Sequence, residues 1–176
     1  MDLLIFWDDR APAGIQAALS RELEYILPLD PKVCESHFVV TGYMPARRQT
    51  NAAVLLDSLD LYKKRSGVNG PILLVVSEDL CREGDEYLFG LSRHSTGNAV
   101  VSTARLGNEY YGYPPDDGDL IDRLVKESAH EVGHLLGLAH CPYPECIMHN
   151  PLILEDIMRQ KRAFCPACQA QLQRLS

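Results

Sequence analysis

Residues 130–141 read HEVGHLLGLAHC, which packs three histidines, a glutamate, two glycines and a cysteine into twelve positions. His130 and His134 are four residues apart, so on a helix they share one face about a turn apart. Two imidazoles placed this way can reach one metal ion. Gly137 follows three residues after His134. Glycine tolerates the left-handed conformation that ends a helix. The chain can turn there and return His140 to the same ion. Three neutral imidazoles leave the fourth position of a tetrahedral zinc open, which is what a catalytic zinc requires. Glu131, beside the first histidine, can hydrogen-bond a water at that position and move its proton. HExxH alone is moderately specific. HExxHxxGxxH is far more so, because the third ligand and the turn residue must both fall at fixed offsets.

The spacing of the cysteines points to a second metal. Cys141 and Cys146 form C-x4-C, and Cys165 and Cys168 form C-x2-C. Four thiolates suit a closed tetrahedral zinc with no open position, hence a structural one. Redox disulfides are the competing reading. The start, MDLLIFWDDR, lacks a basic region before its short apolar run, so a cytoplasmic location is expected. Disulfides are uncommon there. Cys34 and Cys81 lie outside the pattern and read as small buried apolar residues. No run is long and apolar enough for a membrane span. The net charge of −7 argues against a nucleic-acid partner. Arg159, Lys161 and Arg162 form a basic cluster and read as a solvated face.

At 176 residues the chain fits one domain. Five apolar runs read as strands: Leu3–Trp7, His37–Thr41, Ile72–Ser77, Tyr87–Ser92 and Ala99–Thr103. Helical patterns follow the first two, over 11–27 and 50–67. Thr50 or Asn51 is placed to cap the second and Gly67 to end it. This alternation predicts an α/β fold with a mostly parallel five-stranded sheet. RHSTGN joins the last two runs as a hairpin, which makes one edge strand antiparallel. The longest helix should carry the histidines, with Asp117 or Asp119 as its cap. Residues 1–138 are expected to form the α/β part and 139–176 a small zinc-stapled C-terminal subdomain, with short helices over Leu154–Arg162 and after CPAC.

Met148 lies eight residues after His140, within ECIMHNP. HExxHxxGxxH followed by such a methionine resembles the metzincin signature. With HC, C-x-M and CPAC added, residues 130–168 resemble the archaemetzincins. The resemblance implies a zinc metallopeptidase acting on peptides or proteins, with His130, His134 and His140 on a catalytic zinc and Glu131 as general base. It implies Met148 beneath the imidazoles and an extended substrate paired with an edge strand, here Tyr87–Ser92. Some archaemetzincins are described as aminopeptidases, and Glu145, Asp116 and Asp117 are candidates to hold a substrate amine. No tyrosine follows Met148 to serve as a further ligand. Tyr110, Tyr111, Tyr113 and Tyr143 read as packed loop aromatics that could line a cleft. His149 is expected not to be a ligand, and His37 and His94 to be structural or solvated. The expected state is a monomer with two zincs. The competing readings are a zinc-stabilised peptide-binding module without catalysis and a nucleic-acid binder using the cysteine tail.

Overall fold

Two runs of the chain, Ile72–Val76 and Asn98–Ser102, are buried at every residue. A strand buried on both faces belongs inside a sheet covered by helices on each side. The computed structural model, which describes residues 1–34 and 38–175, has that arrangement. In chain order its elements are β1 (Asp2–Trp7), α1 (Gln16–Ile26), β2 (Asp30–Cys34), β3 (Tyr43–Met44), β4 (Gln49–Asn51) and α2 (Ala52–Ser66). They continue with β5 (Ile72–Val76), β6 (Leu80–Cys81), β7 (Gly90–Arg93), β8 (Asn98–Ser102), α3 (Asp117–Leu135), α4 (Leu154–Arg159) and α5 (Pro166–Leu175). The main sheet has the order β2-β1-β5-β8-β7. Its pairs are parallel except the last, where β7 runs antiparallel to β8 at the edge. The mostly parallel α/β fold with an antiparallel edge strand is thus as expected.

Alternating side chains fill two layers. Leu3, Ile5 and Trp7 of β1, with Leu73, Val75, Ala99 and Val101, face α1 and α3. Phe6, Ile72, Leu74, Val76 and Val100 face Leu55, Leu56 and Leu59 of α2. The Asn51 side chain caps α2 by accepting from the Ala53 N–H at 2.9 Å, and Gly67 ends it in the left-handed region at φ 76°. Helix α3 is capped by Asp116, which accepts from the Asp119 N–H, and not by Asp117 or Asp119. Those two acids sit in the first turn, where they complement the helix dipole. The C-terminal residues Ile147, Met148, Ile157, Phe164 and Leu172 join the core beneath α3, so no linker separates them from it.

The expected strand at His37–Thr41 is not formed. Residues 38–41 are outside any strand, and His37 lies outside the described residues. The second strand of the sheet is β2, DPKVC, an edge strand with little apolar signal. Edge position explains why it tolerates Pro31. Phe38 and Val40 pack onto the α2 side of the core instead, with Phe38 and Phe6 ring centroids 6.4 Å apart. The strand expected at Tyr87–Ser92 starts later, at Gly90, and α4 stops at Arg159 rather than Arg162. A second sheet, β3-β4-β6, uses strands of two or three residues. Among the described residues no helix is long and apolar enough to cross a membrane.

Candidate metal centre and cleft

Helix α3 presents Glu127, His130, Glu131 and His134 along one face, while Leu124, Val125, Ala129 and Val132 face the core. The helix stops where the sequence says it should. Gly137 takes φ 92°, and the Leu138 N–H donates back to the Gly133 carbonyl at 3.0 Å. The chain then returns His140. Ligating atoms of the three histidines all lie within 4.8 Å of one another. His130 Nδ1 is 2.7 Å from the Ile147 carbonyl and His134 Nδ1 is 2.8 Å from the Leu138 carbonyl. An Nδ1–H donated to a carbonyl fixes the tautomer and leaves Nε2 free to ligate. The two Nε2 atoms face each other at 3.1 Å. Two nitrogens on one tetrahedral zinc would sit about 3.3 Å apart, so the set fits such an ion. Burial pushes His130 down to about 3 and lowers His134 and His140 as well. Each ring is therefore neutral and ready to bind metal near pH 7.

The four cysteines of the two pairs also converge within 4.8 Å, and all are free thiols. Cys141 Sγ and Cys165 Sγ are 3.7 Å apart, against about 3.8 Å for two sulfurs on one zinc. Backbone N–H groups of Met148 and Cys165 point at Cys146 Sγ, at 3.4 and 3.3 Å. Such donors suit thiolates. The backbone N–H of Cys168, with hydrogen bonds from the neighbouring thiols, brings the Cys165 thiol down to about 7, while burial raises Cys146 and Cys168. The loop between the clusters is tied at both ends. Cys141 N–H donates to the Met148 carbonyl at 2.8 Å, and the Gln160 amide donates to the His149 carbonyl at 2.9 Å.

Met148 is fully buried against the helix, under the histidines. A Cβ at Gly133 would meet its Sδ at 2.5 Å, so a side chain at this position between the two histidines would force Met148 to move. His149 turns away, with Nδ1 3.1 Å from the Cys141 carbonyl. His94 is structural, its Nδ1 2.9 Å from the Leu135 carbonyl, and it also lines the cleft. Cys81 is buried as expected, but Cys34 is only half-buried. Two of the three cations of the basic cluster are paired: Arg162 with Asp122 and Glu22, and Lys161 with Glu145.

The imidazoles open into a cleft of about 720 Å³. One wall is β7 with the residues just before it, and the other is the segment Asn150–Leu152. The Tyr87 hydroxyl, from the first wall, donates to the Leu152 carbonyl of the second at 2.6 Å. This bond ties the two walls together. None of Tyr110, Tyr111, Tyr113 and Tyr143 lines it, and neither do Glu145, Asp116 and Asp117. The cleft tyrosine is Tyr87, held under the guanidinium of Arg105 at 4.0 Å. The cleft carboxyls are Asp85 at the rim and Glu127 and Glu131 on α3. Burial raises Glu131 to about 7, with a hydrogen bond from Ser92 and the charge of Arg82 opposing it. Proton uptake and release near neutral pH is what a general base needs.

Residues 47–174 match the model of peptidase family M54. The chain belongs to that family, the archaemetzincins. An archaemetzincin of Thermococcus kodakarensis is 37% identical over 140 residues, which cover 80% of this chain and 74% of that one. The solved zinc-dependent peptidase from Methanocorpusculum labreanum superposes with a TM-score of 0.91 at 38% identity, covering 97% of this chain and 99% of that chain. The archaemetzincin of Methanopyrus kandleri gives 0.82 at 32% identity, covering 99% and 94%. The family makes this archaemetzincin a zinc metallopeptidase, a hydrolase of peptides or proteins.

Proposed function

We propose that this chain hydrolyses peptide bonds at the His130–His134–His140 centre, with Glu131 as general base and a second zinc held by Cys141, Cys146, Cys165 and Cys168. The observation that carries the reading is Glu131 itself. It lines the cleft beside the three imidazoles, with a carboxyl tuned by burial to about 7. A zinc ion there supplies Lewis acidity, polarising a carbonyl and making water more acidic. The chain does the rest. Glu131 accepts the proton of the attacking water and returns it to the leaving amine. Ser92 holds the Glu131 carboxyl through a hydrogen bond. The free edge of β7 offers backbone groups to an extended peptide, which positions the scissile bond above the imidazoles.

The bridge between Tyr87 and Leu152 favours a substrate that ends inside the cleft, as an exopeptidase would require. Aminopeptidase action is one form of this. No acidic residue among Glu145, Asp116 and Asp117 supports it, since all three lie away from the cleft.

The test uses zinc-loaded protein and a peptide library with free and blocked termini. Glu131→Gln is expected to keep both metals and lose hydrolysis by about 100-fold or more, the scale of general-base catalysis. Equal turnover by the variant would remove Glu131 from the mechanism. Metal binding without any turnover of the library by the natural sequence would instead favour a silent peptide-binding module.

A further inference from the structure

The bond from Tyr87 to Leu152 joins the two walls of the cleft, so whatever fixes the Tyr87 ring fixes the gap between them. The ring is held by Arg105, which takes no part in the proposed reaction and does not line the cleft. Its guanidinium carbon lies 4.0 Å from the centre of the Tyr87 ring and 4.8 Å from that of Tyr110. A guanidinium is drawn to the negative face of an aromatic ring and can stack on it. The same group also meets Asp79. Arg105 Nε donates to Asp79 Oδ1 at 2.7 Å, and Nη2 donates to Oδ2 at 2.8 Å. Two parallel bonds to one carboxylate fix the plane of the guanidinium as well as its position. Both side chains are 20% exposed, which limits competition from water.

Asp79 also governs the backbone that leads into Tyr87. Its Oδ2 accepts from Gln49 Nε2 at 3.0 Å, and the same nitrogen donates to the Glu86 carbonyl at 2.8 Å. Arg47 completes the clasp. Its Nε donates to Gln49 Oε1 at 2.9 Å, and its Nη2 donates to the carbonyls of Asp85 and Glu86 at 2.8 and 3.1 Å. Asp79 is itself tied to β4, where the Thr50 N–H donates to its carbonyl at 2.8 Å. Tyr87 is therefore held from Asp79 by two routes: at its ring through Arg105, and at the preceding peptide through Gln49.

We propose that Arg105 is a positioning residue for the peptide cleft: anchored on Asp79, it holds the Tyr87 ring where the hydroxyl reaches the Leu152 carbonyl, and so sets the gap in which the substrate chain lies. This rests on reading the cleft as the peptide site. Arg105 touches neither the substrate nor the reacting atoms. Lysine in its place would keep the charge, but it has no planar fork to bind both Asp79 oxygens while stacking on the ring. The conservative exchange is therefore the informative one.

The test compares the zinc-loaded natural protein with Arg105→Lys, Asp79→Asn, Tyr87→Phe and the double variant of Arg105→Lys with Tyr87→Phe. The first readout needs no substrate. In proton NMR the Tyr87 hydroxyl, assigned by its loss in Tyr87→Phe, should exchange slowly with water in the natural protein. It should exchange rapidly in Arg105→Lys and Asp79→Asn. The second readout is the ratio of rates on a long and a short peptide of one sequence. Arg105→Lys should shift this ratio as Tyr87→Phe does, by about fivefold, the scale of one lost hydrogen bond. Metal content and kcat on the short peptide should hold. The double variant should shift the ratio no further than Tyr87→Phe alone, because residues that act through one contact are not additive. A Tyr87 hydroxyl unprotected in the natural protein, or still protected in Arg105→Lys, overturns the proposal. So does a ratio that Arg105→Lys leaves unmoved or that adds in the double variant. Loss of metal, or of kcat on every peptide, would make Arg105 part of the general scaffold and also overturns it. Should Arg105→Lys fail to fold, Asp79→Asn is read by the same criteria. A protein whose Tyr87 hydroxyl is protected and then released in the variants, but which cleaves no peptide, would sink the peptidase reading and leave the hold on Tyr87 standing.

Discussion

The spacing between His130 and His134 does more than set two ligands on one face. It also places Gly133 over Met148, where a side chain would collide with the sulfur. Glycine inside a helix costs about 1 kcal/mol relative to alanine, so replacing it would ordinarily stabilise. Here Gly133→Ala is expected to destabilise by about 1–3 kcal/mol, because overpacking outweighs propensity. Urea unfolding reads the change, and adding Met148→Ala should recover part of the loss by vacating the space. His130 gives a pH prediction with a definite sign. Its ordinary value of 6.5 falls to about 3 in the fold, so between these values the unfolded chain binds more protons. Stability from this group is lost as pH falls through that window. Glu131, raised from 4.5 to about 7, acts the other way between those two values. The two therefore offset each other above pH 4.5, and below it His130 acts unopposed. The melting temperature of metal-free protein should drop steeply below about pH 4.5, and less steeply in His130→Asn. The histidines and cysteines were legible at this scale because short fixed offsets bring them together. Gly133 and Glu127 were not, because the sulfur and the strand they pack against come from Met148 and from β7 around Gly90.

At the scale of elements, helices were read more closely than strands. Helix α2 runs between Asn51 and Gly67, as its cap and its glycine dictate. Strand β2 escaped because an edge strand need not be apolar, and the apolar run Phe38–Val40 was free to cover the sheet from outside. The cleft depends on a contact between elements, the bridge from Tyr87 to Leu152 across 65 residues. Tyr87→Phe removes that hydrogen bond and keeps the ring under Arg105. It is expected to cost about 1 kcal/mol and to raise the rate on long peptides relative to short ones. A chain-length series of one peptide measures this, and an unchanged ratio would mean that the bridge does not limit substrate length.

Across the whole molecule, the histidine and cysteine clusters share one loop. His140 adjoins Cys141, and Cys146 stands two residues before Met148, which packs under the histidines. Losing the cysteine-bound metal should therefore slacken the other site. We expect Cys165→Ser to lower metal content below one ion per chain after dialysis, whereas His134→Ala should fall from two ions to one. Elemental analysis of both variants decides it, and a Cys165→Ser protein with a fully loaded histidine site would separate the clusters. The sequence by itself determined the donor sets, the α/β alternation and the turn at Gly137, because each depends on residue types at short separations. The tertiary structure alone decided which segments line the cleft with the imidazoles and that Tyr87 ties its two walls together. Those depend on contacts between distant segments, where packing, rather than spacing along the chain, sets the outcome.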